Sequence, residues 1–203
     1  MKREELQQML LEAPFDALVL TSEVSRRYAT GFHSTAGAVY LSDKQAVFYT
    51  DFRYVEAARA AVNDFEVRKI GSGRSYTAVI NELIEQDGVQ KIALEDETLT
   101  YAEFTRWATA LHATAVRLED RVARLRVTKE DDEVSKIVAA QRIAEQAYEE
   151  VLNDIRAGVT EKEVAARLTY LMLHYGAENM SFDPIVVSGA NSSKPHGVPT
   201  DKE

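Results

Sequence analysis

Residues 38–50 read AVYLSDKQAVFYT, and their pattern determines how the first part of the chain folds. Two apolar runs, Ala38–Leu41 and Ala46–Thr50, flank the polar residues Ser42–Gln45. Short apolar runs rich in β-branched and aromatic residues favour strands, and a polar interval of this length favours a hairpin turn. We therefore expect two adjacent antiparallel strands here.

Strand and helix patterns alternate on both sides of this hairpin. Patterns that favour strands lie at residues 17–20, 65–70, 91–95 and 115–118, and patterns that favour helices lie at residues 2–11, 53–62, 76–86 and 101–111. Such alternation predicts an α/β fold with helices flanking a central sheet. Because the hairpin interrupts the alternation, the sheet is predicted to be mixed rather than purely parallel.

The pattern changes near Arg121, after which long amphipathic helices are predicted. Residues 130–133 place four carboxylates in the first turn of one helix, where the helix dipole favours negative charge. Thr160 and Glu163 have the spacing of a capping box at the start of the next helix, which Gly176 ends. A strand is then predicted over Phe182–Val187, followed by a loop rich in Gly, Pro, Ser and Asn.

This change of pattern predicts two domains, over residues 1–122 and 123–203. Two amphipathic helices and one strand leave apolar faces that need a partner layer. We therefore expect the second domain to be incomplete, and the exposed helix faces after residue 130 to cause dimerisation or aggregation.

Composition excludes several classes of protein. The 203 residues carry a formal net charge of −9, which disfavours binding to nucleic acid. The absence of cysteine excludes disulfides and thiolate metal sites. No stretch approaches the roughly 20 apolar residues needed to cross a bilayer, and the first residues are charged rather than apolar. The sequence predicts a soluble cytoplasmic protein that binds neither nucleic acid nor membrane.

No motif in the chain forms a catalytic site by itself. The four histidines, at positions 33, 112, 174 and 196, occur in no HExxH or HxH arrangement. A P-loop, a dinucleotide fingerprint and the GxSxG frame are also absent from the sequence. Residue patterns alone therefore indicate an α/β protein without an assigned activity.

Short segments at both ends of the chain resemble one enzyme family. In the first half these are Tyr28–Phe32, Ala36–Ala38 and Thr50–Tyr54; in the second they are Arg126–Lys129, Gly158–Glu161, Gly176–Ala177, Ser181–Gly189 and Pro195–Gly197. Their order is similar to that in Xaa-Pro aminopeptidases and prolidases. The resemblance implies a creatinase-like N-terminal domain followed by the opening of a pita-bread metallopeptidase domain.

This resemblance also implies an activity and a cofactor. Family enzymes hold two divalent metal ions, commonly manganese or cobalt, with two aspartates, one histidine and two glutamates, and act on proline-containing peptides. Only His196 matches a family active-site position, that of a histidine that contacts substrate and stabilises developing charge. No residue of this chain matches a metal ligand, so the 203 residues alone are expected to be inactive.

The family resemblance implies a homodimer as well. Because one N-terminal domain borders the neighbour's active site in family dimers, His33 and Arg53 are candidates for a substrate-binding or dimer-edge role. An ordinary surface position for His33, and a role of Arg53 in fixing the domain core, are the alternatives.

The predicted function is removal of the N-terminal residue from peptides with proline in second position. Xaa-Pro dipeptidase, a creatinase-type amidinohydrolase and a non-catalytic protein-binding module remain alternatives, because the same fold serves all of them.

Overall fold

The computed structural model describes residues 2–203 and divides into two compact units, one ending at Thr128 and the other beginning at Lys129. The first unit contains α1 (Lys2–Leu11), β1 (Ala17–Leu20), α2 (Glu23–Thr30), β2 (Ala38–Ser42), β3 (Ala46–Thr50), α3 (Val55–Ala61), β4 (Glu66–Lys69), α4 (Tyr76–Asp87), β5 (Lys91–Leu94), α5 (Tyr101–Ala110), β6 (Thr114–Arg117) and α6 (Arg121–Leu125). The second contains α7 (Asp131–Val151), α8 (Glu161–His174) and two 3₁₀ turns, Leu152–Asp154 and Gly189–Ser193.

The six strands form one sheet in the order β4-β3-β2-β1-β5-β6. Strand β2 is antiparallel to both of its neighbours, and the other adjacent pairs are parallel. In the hairpin Val39 lies opposite Phe48, and in the centre of the sheet Leu18 lies between Leu41 and Ala93. The predicted α/β fold with a mixed sheet is therefore confirmed.

Apolar clusters cover both faces of the sheet. Leu18 and Leu20 of β1 belong to the cluster that includes residues of α1, α2, α3 and α6. Val19, between them, points to the opposite face and belongs to the cluster that includes residues of α4. Burial on both faces explains why the central strands are continuous apolar runs rather than alternating ones.

Two buried carboxylates tie loops to this sheet. Glu95, 3% exposed, accepts hydrogen bonds from the backbone N–H and the hydroxyl of Ser22 at 2.8 Å each, and from the N–H of Thr21. Asp87, at the end of α4, accepts from the Tyr40 hydroxyl at 2.9 Å and from the Ser42 hydroxyl at 2.6 Å. Burial, together with the hydrogen bond to Asp87, raises the pKa of Tyr40.

Two local features of the first unit differ from the sequence prediction. Helix α3 begins at Val55 rather than at residue 53, because the Asp51 carboxylate accepts from the Arg53 N–H at 2.9 Å and residues 52–54 form a turn. The short helix α6 was not predicted. Its Val122 is buried in the core of the first unit, so the predicted domain boundary after residue 122 falls inside a helix that packs there.

The second unit has a much smaller core. Helices α7 and α8 pack around Ala147, Val151, Val164 and Leu171, the four buried apolar side chains of its cluster. Arg167 of α8 also donates to Glu150 and to Asp154, both at 2.8 Å, which links the two helices. The predicted capping box of Thr160 and Glu163 is confirmed.

The predicted strand over Phe182–Val187 does not form in the described chain. A strand is defined by hydrogen bonds to a neighbouring strand, and no described segment pairs with these residues. Their apolar composition alone could not supply that partner.

None of the helices formed by residues 2–203 combines the length and apolar character needed to cross a membrane.

Candidate functional site

His196 lies in the second unit, on an exposed turn of the loop that follows Val187. The next residue, Gly197, is buried, and its N–H donates to the carbonyl of Lys194 at 3.1 Å. A Cβ at residue 197 would lie 2.7 Å from Cγ1 of Val187, so this close approach of the backbone requires glycine. The loop backbone is thus packed on its inner side at the position adjacent to the histidine.

Glu161, in the first turn of α8, holds this loop at three points. Its Oε1 accepts from the Ser188 N–H at 2.6 Å and from the Ser188 hydroxyl at 3.3 Å. Its Oε2 accepts from the Thr200 hydroxyl at 2.7 Å and from the Thr200 N–H at 3.0 Å. The Asn191 amide lies 3.2 Å from both oxygens. One carboxylate therefore joins the beginning and the end of the loop that carries His196.

The same hydrogen bonds set the ionisation of Glu161. The Thr200 hydroxyl contributes most to lowering its pKa to about 2, and further donors on Ser188, Thr200 and Asn191 act in the same direction against the effect of desolvation. Glu161 is only 3% exposed, yet it remains a carboxylate at neutral pH because every donor around it favours the charged form.

The end of the loop also returns to the beginning of α8 through its backbone. The Glu161 N–H donates to the Lys202 carbonyl at 2.9 Å, and the Lys162 N–H donates to the Thr200 carbonyl at 3.2 Å. These contacts satisfy N–H groups that have no partner within the helix. The ammonium of Lys202 then donates to the Ser188 hydroxyl at 2.7 Å, which closes the loop on itself.

His33 lies in the first unit, after the end of α2, with its side chain exposed. Its Nε2 is 2.5 Å from Oε1 of Glu23, at the beginning of the same helix. The neighbouring Phe32 ring contacts the Tyr54 ring edge-on at 6.4 Å, so the segments that carry His33 and Arg53 lie side by side.

Arg53 follows the end of β3 and is also exposed. Its guanidinium forms a bidentate ion pair with the Asp51 carboxylate, with N–O distances of 2.6–3.2 Å. The guanidinium also lies over the Tyr54 ring, 5.2 Å from the ring centre. Hydrogen bonding from Arg53 lowers the pKa of Asp51. The Tyr54 hydroxyl is 2.8 Å from that of Thr35.

The structure thus groups the predicted site residues in two places. His33 and Arg53 lie close in one compact unit, and His196 lies in the other. The sequence analysis did not single out Glu161 as the residue that holds the His196 loop, because an acidic residue at the first turn of a helix is ordinary. The signal that could have found it is the set of Ser, Asn and Thr donors in the loop 27–39 residues further along the chain.

The residues present do not fit the metal centre that the family resemblance implies. Within residues 2–203 no group of three or more His, Asp or Glu side chains is arranged to hold a metal ion. No chemical step through a metal follows from these residues.

Comparison with known proteins decides the family. Residues 2–128 match the family described as Creatinase/Prolidase N-terminal domain. The chain belongs to the creatinase/prolidase family. Residues 135–203 match the description Metallopeptidase family M24, so both parts of this creatinase/prolidase chain agree with the predicted resemblance.

Similar creatinase/prolidase proteins are known in sequence and in structure. The uncharacterized peptidase YqhT of Bacillus subtilis is 34% identical over 203 residues, which is 100% of this chain and 57% of that protein. An Xaa-Pro dipeptidase structure from Bacillus anthracis is 39% identical with a TM-score of 0.90, covering 99% of this chain and 56% of that one. An X-Pro aminopeptidase structure from Thermotoga maritima is 33% identical with a TM-score of 0.87, covering 96% and 56%.

These likenesses confirm the predicted architecture, a creatinase-like α/β domain followed by helices of a pita-bread fold. The chain spans a little more than half the length of the relatives it matches.

Proposed function

We propose that this protein is a metal-dependent exopeptidase that removes the N-terminal residue from peptides with proline in second position. The observation that carries the proposal is the His196 loop, which presents an exposed imidazole from a backbone held at both ends by Glu161. Support comes from the match of residues 135–203 to the M24 metallopeptidases.

In this proposal His196 contacts the substrate. An imidazole N–H can donate a hydrogen bond to the oxygen of the scissile carbonyl, on which negative charge develops during hydrolysis. A donor of this kind stabilises the transition state only if its position is fixed before the reaction. The packing of Gly197 against Val187 and the anchoring of Ser188 and Thr200 supply that fixed position.

Manganese or cobalt ions remain the predicted cofactors. In metallopeptidases such ions generate hydroxide and polarise the scissile carbonyl. Because the described residues form no metal site, inactivity of the 203 residues alone also remains a prediction.

The test is a comparison of two histidine variants. The protein expressed from its whole natural gene is purified and assayed with Mn²⁺ or Co²⁺ on a peptide beginning Xaa-Pro and on the same peptide with alanine in place of proline. The 203 residues alone are assayed beside it and are expected to be inactive. We expect cleavage only before proline and a loss of about 10²-fold in kcat/KM for His196→Asn, the size seen when one transition-state donor is removed.

His174→Asn serves as the matched control, because His174 is also exposed in the second unit but stacks on Tyr170 at 5.5 Å, outside the loop. It should keep the wild-type rate. Equal losses in the two variants, or no cleavage before proline with either metal, would contradict the proposal. Hydrolysis of creatine instead would identify an amidinohydrolase.

Xaa-Pro dipeptidase is the second candidate, favoured by the 39% identity to the enzyme from Bacillus anthracis. The two activities differ in the length of substrate accepted. Cleavage of an Xaa-Pro dipeptide, with little cleavage of a tetrapeptide that begins with the same two residues, would replace the aminopeptidase proposal with this one.

We also propose that the protein is a homodimer with His33 and Arg53 at its edge. The support is that large apolar side chains near these two residues are exposed: Phe52 is 73% exposed and Val24 is 52% exposed. Light scattering of the wild type and of Phe52→Asp tests the proposal. A dimer that dissociates in the variant is expected, and a monomeric wild type would contradict it.

A further inference from the structure

Among the described residues of the second unit, Glu161 is the single buried charged side chain. Its six hydrogen-bond contacts all lead to the loop 188–200 and none to its own helix. Burying a carboxylate is costly unless it is fully hydrogen-bonded, so this arrangement requires the loop to be in place.

The three contact points enclose His196. Ser188 lies at the beginning of the loop, Asn191 lies in its 3₁₀ turn, and Thr200 lies four residues after the histidine. The segment between Asn191 and Thr200 is restrained at both ends by one carboxylate, and Gly197, next to His196, packs against Val187. The backbone at His196 is therefore restrained in part by a side chain that is 35 residues away in sequence.

We infer that Glu161 is a positioning residue for His196: its buried carboxylate fixes the loop that presents the histidine to the substrate. This inference rests on the proposed function. Glu161 has no contact with the substrate in this role, and it acts only through the loop.

Glu161→Gln tests the role because it preserves size and removes one acceptor. A glutamine amide has one oxygen and one NH₂ group, so the NH₂ must face the N–H donors of either Ser188 or Thr200. Glu163→Gln is the matched control. Glu163 lies in the same turn of α8, but its carboxylate accepts only from Thr160, at 2.8 and 2.9 Å, and contacts no loop donor among the described residues.

The first measurement is amide hydrogen exchange by NMR, which does not depend on activity. We expect Glu161→Gln to accelerate exchange at Ser188 and Thr200 at least tenfold and to shift the His196 resonances. Glu163→Gln should leave all three unchanged. If Glu161→Gln does not fold, the isosteric Thr200→Val removes only the hydroxyl at 2.7 Å and should still accelerate exchange at residue 200. Unchanged exchange in a folded Glu161→Gln protein would overturn the inference.

The second measurement is kcat/KM on the Xaa-Pro peptide. A positioning role predicts a loss of about tenfold or more for Glu161→Gln, partial recovery in Glu161→Asp, and no further loss when Glu161→Gln is added to His196→Asn. Additive losses would mean that Glu161 acts independently of His196 and would overturn the inference. If the protein expressed from its whole natural gene cleaves nothing, the proposed function fails, and the exchange data still decide whether Glu161 fixes the loop.

Discussion

Each of the two compact units contains one buried glutamate that accepts hydrogen bonds from a loop. These are Glu95 in the first unit and Glu161 in the second, and each is 3% exposed. Around Glu95 the sheet is covered by apolar clusters on both faces. In the second unit, which contains Glu161, the cluster has only four buried apolar side chains. In the first unit, the hydrogen bonds to the buried glutamate therefore add to the stability that a large apolar core provides. In the second unit, the apolar core is small, and the hydrogen bonds to Glu161 are a principal reason why the loop is ordered.

The surface of the second unit reinforces this contrast. Val134, Ile137 and Val138 of α7 are about half exposed, as are Leu152 and Ile155 after it. Burial of apolar area is the dominant favourable term in folding. Since the described residues do not bury this apolar surface, the second unit as described depends more on its hydrogen bonds than the first does.

The largest effect is expected from truncation of the first core. Phe48 of β3 is fully buried in the apolar cluster that the first unit's helices share with one face of the sheet, so Phe48→Ala should lower the free energy of unfolding by about 3–5 kcal/mol. Leu171→Ala, in the smaller cluster, should cost about 2 kcal/mol because the surrounding helices can close on the cavity. Both losses of stability can be measured by denaturant unfolding. The fluorescence of Trp107 reports on the first unit, and hydrogen exchange reports on the second. Equal costs would remove the contrast between the cores.

A smaller effect is expected from Gly197→Ala. The new Cβ would meet Cγ1 of Val187 at 2.7 Å, and overpacking of this kind costs about 1–3 kcal/mol. Faster hydrogen exchange confined to the loop 188–200 is the expected observation. The double variant Gly197→Ala/Val187→Ala removes the contact and should restore slow exchange; failure to do so would show that the contact is not what fixes the loop.

Acid should loosen the second unit through Glu161. Its pKa in the folded protein, about 2, is below the ordinary value of 4.5. The stabilisation is therefore fully present above about pH 4.5 and is lost as pH falls toward 2. Protection of the Ser188 and Thr200 amides, measured as the observed exchange rate relative to the intrinsic rate at the same pH, should fall in that window in the wild type. The Glu161→Gln variant should lack this pH dependence, and an identical dependence in both proteins would assign it to other carboxylates.

No difference between the units is expected from their exposed ion pairs. Arg124 pairs with Asp120 at 2.7 Å in the first unit, and Lys136 pairs with Asp132 at 2.9 Å in the second. Both are exposed pairs one helical turn apart, which contribute little to stability. Arg124→Ala and Lys136→Ala should each have the same denaturation midpoint as the wild type, within experimental error. A clear loss from only one of them would show that the contrast extends beyond the cores.

The fold of the first unit could be predicted from the sequence because short segments of neighbouring residues determine its strands, helices and turns. The polar residues 42–45 between two apolar runs predicted the hairpin, and the structure pairs Leu41 with Ala46 across it. The strand predicted over residues 182–187 failed for the opposite reason, since pairing needs a partner that these residues do not specify. The role of Glu161 was equally hidden, because its donors lie far along the chain.

The candidate site was predictable only in part. His196 could be singled out from the resemblance of its flanking residues, and His33 and Arg53 from theirs. The pairing of His33 with Glu23, which spans the length of α2, could not be read from composition or spacing. The function of all three residues remains a prediction.

The position of β1 in the sheet has a consequence for biosynthesis. Strand β1 pairs on one side with β2, which leaves the ribosome soon after it, and on the other with β5, about 75 residues later. Until residues 91–94 emerge, the four-residue strand ALVL, which is fully buried in the finished sheet, has one open edge that can pair with another chain. A nascent chain therefore passes through an interval in which crowding on polysomes, or delayed translation between residues 50 and 90, favours aggregation over folding.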